Sequence, residues 1–258
     1  AGAGAIDAAV RASTAAHRVD RPPLAASPVH VTPDVRESLD ALRGLYLAGV
    51  RETDEGFGGL LDALAAHGLD ESAYVLFASD HGEAFGEHGS IYHCQPGYEA
   101  VARVPLLLRG PGLEPGDRTA PVSLLDVAPT CYELAGIQPQ ADRSGRPLLS
   151  VEGERPLFVE ETWVGDARDS WVALQGDVKF YSDGCFERPV SVDLGSDPTE
   201  SNPRLPGEPD FDAAALEGLR RRYELLRVPL HPPETLAPTP ATVARLRALG
   251  YAAALDGP

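Results

Sequence analysis

Early in the chain, apolar side chains fall at helical spacing, at Leu39, Leu42, Leu45, Val50, Phe57, Leu60, Leu61 and Leu64. They predict one long amphipathic helix running to about His67. Asp34, three residues ahead of Glu37, reads as its cap, and Gly68 as its stop. The period then changes. Tyr74–Ala78 is a short continuous apolar run between turn signals, which predicts a buried strand of a parallel sheet, and Val104–Leu108 reads as a second buried strand. Leu124–Leu134 returns to a helix, closed by Gly136. Alternation of helix and strand is the signature of a layered α/β fold.

From about residue 155 the texture is different. Short apolar runs at 157–159, 171–174, 178–181 and 190–194, separated by Gly, Asp and Pro, predict an antiparallel meander. A polar connection at 195–210, a helix at 211–227 and a Pro-rich stretch at 229–239 follow. At the other end, residues 5–18 read as an Ala-rich helix and 20–33 as a Pro-rich loop. The chain therefore divides into an N-terminal segment (1–33), an α/β part (34–150) and a smaller α+β part (151–258), with no internal repeat.

Composition narrows the partners. A net charge of −17 argues against a nucleic-acid or anionic-membrane surface, since both require basic patches. No run reaches the roughly 18 apolar residues of a membrane span. The chain opens at Ala1 with neither an initiator nor a leader, and its first residues look like the middle of something, so no compartment is inferred. Three cysteines, Cys94, Cys131 and Cys185, form no CxxC pair and cannot all pair within the chain; Cys131, in an apolar helix, is expected to be a small core residue.

The chemistry concentrates after the first strand, in Ser79-Asp80-His81-Gly82-Glu83-Ala84-Phe85-Gly86-Glu87-His88-Gly89. An Asp and a His side by side where a strand ends offer a carboxylate oxygen and an imidazole nitrogen to one divalent cation, a set suited to Zn, Mn or, less comfortably, Ca. In open α/β sheets ligands collect outside the carboxyl ends of strands. The competing reading is an ordinary Asp-His-Gly turn with a solvated Asp80. Downstream lie His93, Tyr98-Glu99 and Arg103–Gly112, followed by Ser123–Ile137.

This ordered set resembles the sulfatase family of the alkaline-phosphatase superfamily, over roughly residues 36 to 251, and Arg245–Tyr251 resembles the end of many arylsulfatase-like chains. The resemblance implies an alkaline-phosphatase-like α/β sheet flanked by helices, then a small antiparallel C-terminal sheet with a terminal helix. It makes Asp80 and His81 metal ligands, His93 the group that contacts the ester, and Glu83 and His88 residues that support the ligands from behind. Ca2+ is the ion expected, with Mn2+ or Zn2+ as alternatives because His stands where many members carry Asn. The substrate implied is a small-molecule or glycan sulfate ester.

The family's nucleophile lies in a Cys- or Ser-x-Pro-x-Arg segment, whose Cys becomes formylglycine, preceded by paired Asp ligands. This sequence contains no such segment; Cys94-Gln95-Pro96-Gly97-Tyr98 imitates it, but Tyr replaces the Arg and the order is reversed. The expectation is a C-terminal portion of a sulfatase-like hydrolase that is inactive alone. Alternatives are a phosphodiesterase, phosphonate hydrolase or phosphoethanolamine transferase of the same superfamily, or a non-catalytic remnant. Arg103 and Arg109 are expected to pair at strand ends and Asp126 to anchor a helix, while His17, His30, His67 and His231 carry no motif and are expected at the surface.

Overall fold

A computed structural model describes residues 33–89, 91–93, 97–138, 145–161, 170–183 and 189–226, with the single positions 239 and 241. The expected N-terminal helix, Cys94–Pro96, Cys185, His17, His30, His231, the stretch at 229–238 and Arg245–Tyr251 lie outside the described residues.

The first element, α1 (Pro33–Ala66), is the predicted helix. Proline fits its first position, where no backbone donor is needed, so Asp34 lies inside the first turn rather than in front of it. Its end follows the sequence signal: Gly68 takes φ 66°, and two bonds close the last turn, Gly68 N–H to Ala65 O at 2.9 Å and Leu69 N–H to Leu64 O at 2.9 Å. The Phe57 ring packs on Phe77 at 4.9 Å, Tyr46 on Phe85 at 5.2 Å, and Leu39 is buried with Ile91. Leu45, Leu47, Val50 and Leu60 stay exposed, so the stripe is wider than the described residues cover.

Strand β1 (Val75–Ala78) pairs with β4 (Leu106–Arg109), and here the sequence expectation is corrected: the pair is antiparallel, with Val75 opposite Arg109 and Ala78 opposite Leu106. Nor is either strand fully buried. An apolar run specifies a strand but not the direction of its neighbour, which depends on how the chain returns. Between them come the two-residue strands β2 (Ala84–Phe85) and β3 (Ile91–Tyr92), also antiparallel, and the single-turn helix α2 (Glu99–Ala102).

A short 3-10 turn at Leu124–Asp126 leads into α3 (Val127–Leu134). Ser123 and Asp126 form a reciprocal capping box, each side chain accepting the other's backbone N–H or that of its neighbour. Asp126 is fully buried, and also accepts the Arg146 N–H at 2.8 Å and the Arg155 guanidinium. It is the anchor the sequence suggested. Thr130 is buried on the same face, bonding Asp126 O and taking the Leu148 N–H at 2.9 Å. Cys131, one position further round the helix, is exposed, contrary to expectation; the core-facing stripe runs through Pro129 and Thr130 instead.

The predicted meander is a four-stranded antiparallel sheet in chain order, β5 (Leu157–Glu161), β6 (Ser170–Gln175), β7 (Val178–Asp183) and β8 (Val190–Asp193). Alternation splits it into two faces. Trp171, Ala173 and Phe180 pack against Leu219 and Tyr223 of α4 (Ala213–Leu226). Val172, Tyr181, Val190 and Val192 face the other way and bury Tyr98, the residue just before α2. The C-terminal sheet thus packs directly on the segment that follows the Asp-His loop. Among the described residues no helix is long and apolar enough to cross a membrane.

Candidate metal centre

Beyond the end of β1 the chain turns, and Ser79 helps hold the turn by donating its hydroxyl to His81 O at 2.8 Å. Asp80 Oδ1 accepts the His81 backbone N–H at 2.9 Å. That bond is the main reason the Asp80 carboxyl is held below its ordinary range; burial opposes it, and the His81 and His93 imidazoles add smaller contributions in the same direction as the bond. Asp80 is therefore an open anion at neutral pH, its side chain 86% exposed.

The His81 ring lies at 2.9 Å from Gly82 O through Nδ1. A carbonyl only accepts, so in the neutral ring the proton sits on Nδ1 and the lone pair on Nε2. Nε2 lies 3.7 Å from Asp80 Oδ2. An N and an O this far apart suit two ligands sharing one cation, each about 2.1 Å from it. The donor chemistry, one carboxylate and one oriented imidazole, fits a divalent ion of the kind expected from the sequence.

His93 joins this pair. Its ring stacks on that of His81, with centroids 4.1 Å apart and planes 29° from parallel. Its Nδ1 is 3.6 Å from Glu83 Oε2, while Glu83 Oε1 is buried without a hydrogen-bond partner. Four of the predicted residues, Asp80, His81, Glu83 and His93, therefore share one loop cluster. Among the described residues no group of three or more His, Cys, Asp or Glu is placed to hold a metal ion.

The fifth, His88, is elsewhere. Its backbone takes φ 52°, and its ring stacks on Tyr98 under the C-terminal sheet, with Nε2 3.9 Å from Glu200 Oε2. Arg109 donates to Asp70 O at 3.2 Å, a pairing at the strand end as expected, and His67 is exposed.

Sequence reading missed the buried polar cluster beside His88. Lys179 is 2% exposed, and its ammonium reaches Glu99 Oε1 at 2.7 Å and Glu200 Oε1 at 3.0 Å. The Tyr181 hydroxyl also donates to Glu200, and burial together with that carboxylate pushes the Tyr181 phenol far above its usual range. One signal was available: Lys179 is the chain's single lysine, set between the apolar residues Val178 and Phe180.

Comparison with known proteins bears on the family and the fold. The family model Sulfatase matches residues 11–137. Arylsulfatase K of Xenopus laevis is 35% identical over 185 residues, covering 65% of this chain and 34% of that protein. Choline-sulfatase of Rhizobium meliloti (strain 1021) is 32% identical over 224 residues, covering 74% of this chain and 43% of the relative. The chain thus spans between a third and a half of the length of these relatives.

Among solved structures, a phosphonate monoester hydrolase from Silicibacter pomeroyi superposes with TM-score 0.65 at 20% identity, over 93% of this chain and 52% of that one. A 2-O GAG sulfatase gives 0.64 at 18% identity, over 84% and 46%. At such identities the likeness shows the fold, which is alkaline-phosphatase-like. By the residues its family model matches and by its sulfatase relatives, the chain belongs to the sulfatase family.

Proposed function

We propose that this chain supplies the Asp80–His81 part of a divalent-metal site for sulfate ester hydrolysis, with His93 beside the ester. The observation that carries the reading is the His81 ring, turned by Gly82 O so that its free Nε2 faces Asp80 Oδ2 at 3.7 Å. A bound cation, Ca2+ in the first place and Mn2+ or Zn2+ otherwise, would supply Lewis-acid polarisation of the ester oxygens. Asp80 brings the anionic charge and His81 the oriented nitrogen. His93, next to the Glu83 carboxylate, is placed to hold or deliver a proton at the leaving oxygen. Glu83 turns the His93 ring through its Nδ1 side.

In this reading the formylglycine nucleophile and the remaining ligands come from sequence outside the chain, and residues 34–150 form the catalytic layer with 151–258 as an appended α+β unit. A small-molecule or glycan sulfate ester is the substrate class. Phosphodiester and phosphonate hydrolysis could use the same pair.

The test is Mn2+ titration of the chain, followed by paramagnetic broadening of the His81 and His93 ring protons. Selective broadening at weak affinity, lost in Asp80→Asn, supports the reading. Affinity in the micromolar range or tighter, or broadening elsewhere, would show that the site is misplaced. Turnover of an aryl sulfate or a phosphate ester by the isolated chain would overturn the view that its nucleophile lies outside it, and would separate the two chemistries.

A further inference from the structure

Helix α2 is a single turn whose preceding residue, Tyr98, offers no side-chain cap. The Glu99 N–H, an orphan donor by helix geometry, is instead bonded by Glu200 Oε2 at 2.9 Å, from 101 residues away in sequence. The Glu99 side chain is held from the same side, by Lys179 at 2.7 Å. Both the backbone and the carboxylate of Glu99 are therefore fixed by the C-terminal sheet and the turn that follows it.

The other end of α2 abuts the Asp-His loop. Val101 O accepts the Gly82 N–H at 2.8 Å. The approach is so close that a Cβ on Gly82 would lie 2.2 Å from Ala100 O. Gly82 O is in turn the acceptor for His81 Nδ1. Rigid contacts thus run from Lys179 and Glu200 through Glu99 and α2 to Gly82 and the His81 ring.

A lysine paired to Glu200 alone would already satisfy the buried charge. Glu99 adds a second carboxylate to that ammonium, and because its side chain stays 26% exposed the pair contributes less as a simple stabiliser than a fully buried one. Its connection to α2 gives it a different use. We propose that Glu99 is a positioning residue for the Asp80–His81 site, transmitting the C-terminal sheet's position to the imidazole through α2 and Gly82. The inference rests on the functional reading given above for that site, but its test uses neither cation nor substrate.

The experiment is amide hydrogen exchange by NMR on the chain and on Glu99→Ala, a variant expected to fold because the side chain is 26% exposed. Expected is exchange of the Gly82 amide faster by about tenfold or more, with the Phe180 and Val192 amides changed by less than about twofold. Glu99→Gln, which keeps an acceptor for Lys179, should bring Gly82 back to within about threefold of the parent. Unchanged exchange at Gly82 would overturn the proposal. So would an equal rise at Gly82, Phe180 and Val192, which is what a purely structural role produces. Mn2+ broadening of His81 in the parent chain is read separately, so the site and its positioning can fail independently.

Discussion

The imidazole of His88 lies flat on the ring of Tyr98, with centroids 3.8 Å apart and planes 7° from parallel. The stack sits beneath the C-terminal sheet, where burial of the His88 ring lowers its pKa; Glu200, Glu87 and Asp197 pull it back up, and Lys179 pushes it down. The folded chain therefore binds this proton less readily than the unfolded chain. The sign follows: as pH falls below about 6.5 the unfolded state protonates first and stability drops, while well above that value His88 contributes no pH dependence. Urea midpoints should fall between about pH 7.5 and 5.5, and fall less in His88→Asn, a residue that tolerates the φ of 52°. Equal slopes in the two proteins would assign the effect to another group.

Asp126 is buried under three partners: the Ser123 and Arg146 N–H groups and the Arg155 guanidinium. Asp126→Ala strands the Arg155 charge, 11% exposed, and two backbone donors. The expected cost is about 3–5 kcal/mol. Denaturant unfolding measures it, and a loss below about 1 kcal/mol would mean that water replaces these bonds.

Lys179 and Arg51 make a controlled comparison between a buried and an exposed cation. Lys179→Met leaves the Glu99 and Glu200 carboxylates without their shared ammonium and should cost about 3–5 kcal/mol. Arg51→Ala removes an exposed pair with Glu55 at 2.9 Å and should change stability by no more than about 0.5 kcal/mol. Similar losses in the two variants would refute the distinction.

Gly82→Ala pushes a methyl group into Ala100 O, a backbone atom that cannot rotate away. Overpacking at this point should cost about 1–3 kcal/mol. The more specific expectation is loss of Mn2+ broadening at His81 while β7 and β8 amides keep their chemical shifts. Retained broadening would show that the loop adapts to the added methyl.

Much of the candidate site could be read in advance. Asp80, His81, Glu83 and His93 lie within fourteen consecutive residues, and a short loop can bring such neighbours together without distant help. His88 belongs to the same run but leaves the cluster, because its left-handed backbone turns the ring toward Tyr98. No spacing rule anticipates that turn at a non-glycine residue. The Lys179–Glu99–Glu200 cluster joins positions separated by 80 and 21 residues, and a single sequence carries no sign of such pairings beyond the oddity of a lone lysine between Val178 and Phe180.

The division between local and distant information follows the range of the forces. The long helix, its Schellman stop at Gly68, the capping box at Ser123 and Asp126 and the meander after residue 155 are written in neighbouring residues, because caps, turns and period-two or helical alternation are satisfied within a few positions. The antiparallel return of β4 along β1, the exposure of Cys131 and the burial of Lys179 between two carboxylates depend on which surfaces meet after the chain has folded back. Direction, burial and charge pairing are properties of that meeting, so they became legible in the assembled fold.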